Sequence, residues 1–515
     1  FMIRLAKEVP LVRYFKIETP GTAAKAFMGG KGPSANLLPA LNYLYDYPYG
    51  CLEQVVSKAW PFVILPGLLA DIDPAFLDQK NIDDGLALAI KRISFMQLYD
   101  GSYATWPGES QPNLWNSVYA THFLWEAQSK TSLPEGLLSS SLNFLKQIMA
   151  IPAGAITPHN FDYTLSTKAY AAYVLTLAGQ APLAWLQQLH EDRALLTPSG
   201  RVYLAAAMAL QQKSAKPLRA LGDLPEMDWG GINPTLESTP RNQAILLTAW
   251  SQVEPSASEA GLLAKSLQES GLKRYWYTTQ DNAMALLGLG KYYAANPDRN
   301  KPFTAELKGP DGRSLLSFSS EEDGKLKIKA QAGEDLPVPV SLKVDGQGSA
   351  YFSWSSTGVP KEAPAPFAKN LNISLELKTD AGNVLTWDSA KPLRIKQGTR
   401  LTATLKIAPA MPVEQLVVVS VLPGGLEVDN PRLQDLQNIP APTTNDYMAY
   451  SWGCRLDLRD DRLILIAGYL NNAMTYTFTM RAVSKGTFVM PPVAGEGMYA
   501  PFISALGKAG TIIVE

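Results

Sequence analysis

Tyr47-Pro48-Tyr49-Gly50-Cys51-Leu52-Glu53-Gln54 sets a thiol and a carboxamide three residues apart, directly after a turn punctuated by proline and glycine. Residues i and i+3 share a helix face, so from the start of a helix the Cys51 sulfur reaches the side-chain carbonyl of Gln54. A sulfur that displaces ammonia there forms an internal thioester, an acylating group held within the chain. The pair suits that chemistry because a thiolate is both a strong nucleophile and a good leaving group, which a serine hydroxyl is not. The plainer reading of an isolated C-x-x-Q is a buried small hydrophobe that opens a core helix. The rest of the chain decides between the two.

The 515 residues suffice for roughly three domains, and a 46% hydrophobic content with 11 tryptophans can fill their cores. A formal net charge of -1 leaves no basic excess to engage phosphates, which argues against a nucleic-acid binder or a basic membrane-surface protein. The longest apolar runs, such as residues 59–70, are too short or too interrupted by proline to span a bilayer. Neither a basic leader nor a lipobox-like cysteine stands near the start. The chain opens on Phe1 rather than Met, so a piece of something longer is expected. A disulfide between Cys51 and Cys454 would consume the thiol that a thioester needs, and two cysteines say little about compartment. His122, His159 and His190 lie far apart with no metal-ligand spacing, so neither metal nor cofactor is expected.

From about Ser34 to Asn300 apolar residues recur at helical spacing nearly throughout. Ile82, Leu86, Ala89, Ile90, Ile93 and Met96 mark one face, and Ala169, Tyr170, Tyr173, Val174 and Leu177 another. Breaks at 71–74, 132–136 and 198–200 separate such faces, and about ten to twelve helices of ordinary length fit the span. A faint repeat, 97–106 and 273–283, puts a polar, aromatic-bearing turn ahead of a helix each time. That is similar to the loops of α/α-toroids, in which helical hairpins form a ring with an inner and an outer layer.

From about Lys301 the pattern alternates. Segments 304–307, 315–318, 326–330, 338–344, 350–355 and 373–378 read as strands, and after Lys396 so do 401–407, 416–422, 462–467, 475–482, 487–491 and 511–514. Strands at this spacing predict two antiparallel β-sandwich domains. At the start, 1–17 hold one or two short strands and Gly21 to Pro33 reads as a Gly/Ala/Lys-rich connector. The expected organisation is 1–33 as a linker or the tail of a preceding β-domain, 34–300 helical, 301–397 one β-sandwich and 398–515 a second.

The octapeptide closely resembles the thioester motif of bacterial alpha-2-macroglobulins, relatives of the animal alpha-2-macroglobulins and of the complement thioester proteins. Residues 422–428, 459–462 and 495–501 resemble segments of that family's C-terminal macroglobulin domain and keep its order. The resemblance implies a multidomain α and β chain: a linker or the tail of a preceding CUB-like β-domain over 1–33, an α/α-toroid thioester domain over 34–300, a CUB-like β-sandwich over 301–397, and a macroglobulin-like β-sandwich over 398–515.

It also implies roles for single residues. Cys51 is then the acyl acceptor and Gln54 becomes the transferred glutamyl group. Pro48 stiffens the turn, and Gly50 permits close backbone approach and an unusual dihedral. Glu53 is either polar support beside the thioester or a carboxylate favoured by the helix dipole. A thioester must be kept dry, for which Tyr47, Tyr49 and Trp115 are candidates from the helical domain. In the family a Tyr, often with Met, covers the site from the C-terminal domain, which points to Met498 and Tyr499; ordinary packing in a sandwich is the other reading, although an exposed loop there would favour docking. Some members use a histidine to steer the acyl group to hydroxyls. By order that is His159, which also reads as a solvated loop histidine, and without it lysine amines are the preferred targets. His122, among apolar helix residues, reads as a core histidine, and Cys454 as a strand cysteine.

The function so implied is a broad-spectrum protease inhibitor. A protease cuts a bait region, absent from this sequence, and the exposed thioester acylates it once, so the chain is no turnover enzyme. Family membership further implies the periplasm, lipid anchoring through an upstream part, and a monomer. Two rivals remain at this point: an adhesive or structural family member without an active thioester, and an α/α-toroid glycan-processing enzyme, whose carboxylate pair would be Asp83-Asp84 or Glu191-Asp192.

Overall fold

The computed structural model describes residues 23–30, 37, 40–41, 43–45, 47–64, 79–151, 161–221, 235–273, 276, 278–296, 302–309, 311–321, 324–330, 341–346, 351–357, 365–387, 391–429 and 454–515. They belong to two compact units that divide between residues 358 and 359.

The first unit holds the helices. In chain order these are α1 (Leu52–Ile64), α2 (Gln79–Met96), α3 (Leu114–Ala127), α4 (Leu137–Ala150), α5 (Phe161–Leu177), α6 (Leu183–Glu191), α7 (Pro198–Gln212), the short α8 (Lys216–Arg219), α9 (Thr239–Val253), α10 (Ser258–Lys273) and α11 (Thr279–Ala295). Each odd-numbered helix packs on the next odd-numbered one, and α11 returns to α1, which closes a ring. The even-numbered helices lie against them as a second layer, the arrangement of an α/α-toroid. Sequence explains the sorting. In α11 every residue from Thr279 to Gly290 is buried, as a helix enclosed on all sides requires. In α2, by contrast, Ile82, Leu86, Ala89, Ile90 and Ile93 face inward while Leu88 and Phe95 are exposed. Close approach of two inner helices needs a glycine at Gly288 of α11, where a Cβ would lie 2.6 Å from the Ala244 carbonyl oxygen of α9.

Four of the odd-numbered helices, α3, α7, α9 and α11, begin on side-chain caps. Asn113 accepts from the Asn116 N–H, Thr197 from Gly200, Ser238 from Arg241 and Thr278 from Asp281, the last within a full capping box. Side-chain hydrogen bonds then link each inner helix to the next. Tyr119 and Ser57 join α3 to α1 at 2.9 Å, and His122 Nδ1 and the Tyr170 hydroxyl join α3 to α5 at 2.9 Å. The Thr197 N–H donates to Ser166 Oγ at 3.0 Å, the Ser199 N–H to Glu237 just before α9, and the Ser238 hydroxyl to Asp281. Thr279 Oγ1 donates to Glu53 Oε2 at 2.7 Å and completes the circuit.

The same unit contains β1 (Ala23–Gly30), β2 (Phe303–Lys308), β3 (Ser314–Ser319), β4 (Gly324–Ala330), β5 (Ser341–Gly346) and β6 (Tyr351–Thr357). Here the reading of Gly21–Pro33 as a connector is corrected. β1 is the central strand of the sheet β4-β1-β6, antiparallel to both neighbours. Its Gly/Ala-rich sequence lacks alternation, and its strand identity comes from partners far downstream. The helical ring is therefore inserted into one β-layer.

The second unit runs through β7 (Phe367–Lys369), β8 (Leu371–Thr379), β9 (Val384–Leu385), β10 (Leu393–Ile395), β11 (Arg400–Pro409), β12 (Val413–Val421), β13 (Leu426–Val428), β14 (Cys454–Leu458), β15 (Arg462–Leu470), β16 (Met474–Ala482), β17 (Gly486–Met490), β18 (Ala494–Gly497), β19 (Ala500–Leu506) and β20 (Gly510–Val514). A five-stranded sheet β13-β16-β11-β8-β9 and a six-stranded sheet β14-β15-β12-β18-β19-β7 share one core. Alternate residues supply it: Leu401, Ala403, Leu405 and Ile407 from β11, Leu416 and Val418 from β12, Leu463 and Leu465 from β15. The boundary expected at 397/398 is displaced. β8 pairs along its full length with β11, from Leu371↔Pro409 to Thr379↔Leu401, so both sides of that boundary form one sheet. Alternation alone cannot say which strands share a sheet.

Candidate functional site

The candidate site is built on the start of α1. Cys51 occupies the position before the first helical residue, and its carbonyl accepts the Val55 N–H at 2.9 Å. Gln54 is then the third helical residue, and its Oε1 accepts the Cys51 backbone N–H at 3.1 Å. This is one half of a capping box, in which the side chain at the third position folds back on the residue that caps the helix. C-x-x-Q at a helix start thus brings the Gln54 carboxamide to Cys51 through ordinary capping geometry. Both side chains are buried, Cys51 at 2% exposure and Gln54 at 0%. A donor on Oε1 also stabilises negative charge that develops on that oxygen when a nucleophile adds to the carbonyl carbon.

The preceding turn packs by its aromatics. Tyr47 and Tyr49 are buried, with ring centroids 5.6 Å apart and an edge-to-face interplanar angle of 79°. Lys58 Nζ donates to the Tyr47 carbonyl and ties the turn to α1. Pro48 is half-buried, and no described peptide bond is cis. The expectation for Gly50 is corrected. Its φ lies outside the left-handed region, and among the described residues a Cβ there would meet only Arg92 and Val55 at 4.0 Å, an ordinary contact.

Glu53 is held by hydrogen bonds from two other side chains. Fully buried, and between Cys51 and Gln54 in sequence, it accepts Thr279 Oγ1 on Oε2 and Ser57 Oγ on Oε1. Because the Ser57 hydrogen goes to Glu53, the Tyr119 hydroxyl donates in turn to Ser57 Oγ. Burial first, and then the Glu53 carboxylate, push Tyr119 well above the usual phenol range, so it stays a donor. None of Ser57, Tyr119 or Thr279 stood out in sequence as a site residue. The 97–106 and 273–283 repeat carried the signal: the Leu52 N–H donates to the Thr105 carbonyl at 2.9 Å, and Thr279 comes from the second copy.

Trp115 is buried in an aromatic cluster, 5.1 Å from the Tyr170 ring and 6.1 Å from Tyr203, with the Arg241 guanidinium 5.0 Å over its face. The cluster reaches α1 through His122, whose ring lies 5.0 Å from Trp60. His122 is a core histidine, as expected; burial, helped by Lys291, lowers it to about 3 and keeps it neutral. His159 lies outside the described residues. Met498 and Tyr499 form the tight turn between β18 and β19 in the second unit. The expected exposed loop is corrected there: Met498 is buried, Tyr499 is half-buried, and the Met498 N–H donates to the Gln415 carbonyl at 3.0 Å. Asp83, Asp84 and Glu191 are exposed, on α2 and at the end of α6 in the outer layer, a poor setting for a cleft carboxylate pair. Cys454 lies half-buried on the edge strand β14. Among the described residues no group of three His, Cys, Asp or Glu is placed to hold a metal, and no helix is long and apolar enough to cross a membrane.

Comparison with known proteins gives two family matches, the A-macroglobulin TED domain over residues 22–153 and the bacterial alpha-2-macroglobulin MG10 domain over residues 372–501. The alpha-2-macroglobulin of Escherichia coli K12 is 24% identical over 95% of this chain and 29% of its own length, and the Yersinia pestis alpha-2-macroglobulin homolog 26% over 92% and 24%. The chain thus spans between about a quarter and a third of these relatives. Among solved structures, a Salmonella alpha-2-macroglobulin reacted with methylamine superposes with a TM-score of 0.79 at 22% identity, covering 96% of this chain and 32% of that one. Native Escherichia coli alpha-2-macroglobulin from domain MG7 to the C-terminus gives 0.78 at 21% identity, over 96% and 78%. The chain belongs to the bacterial alpha-2-macroglobulin family, and it corresponds to the C-terminal portion of those proteins.

Proposed function

We propose that this chain carries the acylating centre of a covalent protease trap, an internal thioester between Cys51 and Gln54. The observation that carries the proposal is the Cys51 N–H donating to Gln54 Oε1 at 3.1 Å with both side chains buried. In forming the thioester, the Cys51 sulfur bonds to Gln54 Cδ, the Cδ–N bond breaks, and the nitrogen leaves as ammonia with the thiol proton. In use, an amine of the captured protease adds to the same carbon and the C–S bond breaks. The sulfur leaves as thiolate and takes up the amine's proton, and an amide joins the former Gln54 to the protease. Each centre acts once, so the product is an adduct and not turnover.

The rest of the reading rests on family membership. A protease cuts a bait region elsewhere in the longer protein, Met498 and Tyr499 keep water off the bond beforehand, and the whole operates as a lipid-anchored monomer in the periplasm. We take His159 as a loop histidine without a steering role, which leaves lysine amines as the main acceptors. The test is the intact mass of fresh protein with thiol titration before and after methylamine. The expected result is a chain lighter than its sequence by one ammonia, with the Cys51 thiol appearing only after methylamine. An unmodified mass with Gln54 still an amide and Cys51 titratable at once would overturn the reading in favour of a structural module.

A further inference from the structure

We propose that Thr279, on the last helix of the ring, is a positioning residue for the acyl group, so that the thioester forms only once the ring has closed. The inference rests on the thioester reading and assigns a role to a residue that lies 226 positions from Glu53. Glu53 stands between Cys51 and Gln54 in sequence. A contact that fixes its side chain therefore fixes the rotation of the first turn of α1.

Contacts from the two inner helices that flank α1 do so. Thr279 Oγ1 donates to Glu53 Oε2 at 2.7 Å from α11. From α3, Tyr119 donates to Ser57, which donates to Glu53 Oε1. All four side chains are buried, and an unmet polar group here would be costly. Gln54 needs that turn held, because its carboxamide must fold back on the Cys51 N–H at 3.1 Å and present Cδ to the sulfur. The backbone around Thr279 is itself held by neighbouring contacts. Thr278 and Asp281 form the capping box of α11, and Ser238, the cap of α9, donates to Asp281. Thr279 thus delivers its hydroxyl to Glu53 only when α9, α11 and α1 are mutually seated. In a chain made from its N-terminus, Cys51 and Gln54 precede that moment by the whole ring. A thioester formed earlier would meet water before its shelter existed. Dependence on Thr279 delays the reactive bond until the protecting structure is complete.

The test compares the wild-type chain with Thr279→Val, which keeps the shape but removes the donor, and with Thr279→Ser, which keeps the donor. The rate of thioester formation is read as the loss of one ammonia on refolding from denaturant, with the thiol released by methylamine as the second readout. Circular dichroism and thermal unfolding report whether the ring is intact. The expected result is about a tenfold slower formation in Thr279→Val, the size of one lost hydrogen bond to a carboxylate, with wild-type behaviour restored in Thr279→Ser. Tyr119→Phe, which weakens the other contact, should slow formation in the same sense. Formation at the wild-type rate in folded Thr279→Val would overturn the inference while leaving the thioester intact. Slow formation in Thr279→Val and Thr279→Ser alike would make Thr279 merely structural and would overturn it too. A wild-type chain that never loses ammonia would overturn the thioester reading itself.

Discussion

Cys51 and Gln54 owe their proximity to a rule of helix ends rather than to a special fold. A helix leaves its first amides unsatisfied, and a glutamine at the third position can turn back to one of them. Here that amide belongs to the cysteine. Gln54→Glu therefore tests the chemistry without disturbing the geometry, because glutamate folds back equally well but has no ammonia to lose. Its chain should show the unmodified mass and a Cys51 thiol that titrates before methylamine, against a Cys454→Ala background that removes the half-buried second thiol. Met498→Ala with Tyr499→Ala tests the proposed shield, and should speed methylamine-driven thiol release by about tenfold or more if these side chains keep nucleophiles out. At this scale the sequence was informative wherever a motif was local. C-x-x-Q, Pro48 and the two tyrosines of the turn all lie within eight residues. Thr279 was illegible because its partner Glu53 is reached only through ring closure, and Gly50 was over-read because glycine suggests strain where the chain has none.

Among the elements, the inner helices differ from the outer ones in what they bury. Apolar periodicity marked both kinds, since each has at least one apolar face. It could not tell that α3, α5 and α7 also enclose polar groups, because a buried Tyr or His is recognised only by its neighbours. His122 shows what such burial costs. Its value of about 3, against an ordinary 6.5, means that the folded chain binds fewer protons than the unfolded chain between those pH values. Stability therefore falls as pH drops through that window. On passing from pH 7 to 5, wild-type protein should lose about 2 kcal/mol more stability than His122→Phe, as read by urea unfolding at each pH. Equal losses in the two chains would remove His122 as the cause. Short strands were the least legible elements. β7, β9, β10 and β13 have two or three residues each, too few to show alternation, and exist because longer neighbours offer them a ladder.

For the chain as a whole, the order of helical region before β region was plain from composition, but the edges were not. β1 and β8 were misplaced for one reason: each pairs with strands beyond the boundary that local patterning suggested. The pairings predict where the chain can be cut. A protein of residues 359–515 should fold alone, with cooperative thermal unfolding and β-type circular dichroism. A protein of residues 398–515 lacks β8, the inner neighbour of β11, and should be largely unfolded or aggregated under the same conditions. Equal cooperativity in the two would show that the β8–β11 ladder contributes little.

The insertion of the ring between β1 and β2 has a mechanical consequence. The N-terminal end of β1 lies beside the C-terminal end of β6, with Ala24 opposite Thr357, and beside the C-terminal end of β4, with Ala23 opposite Ala330. Tension applied at the two ends of this region therefore pulls on neighbouring strand ends at one edge of the sheet. The ladder then opens like a zip, one hydrogen bond at a time, instead of resisting in shear with all bonds loaded together. The sheet should part at low force while the helices remain unloaded. Until the ladder opens, a cargo fixed to the start of α1 rides on a ring off the line of pull; once it has opened, the ring itself joins that line.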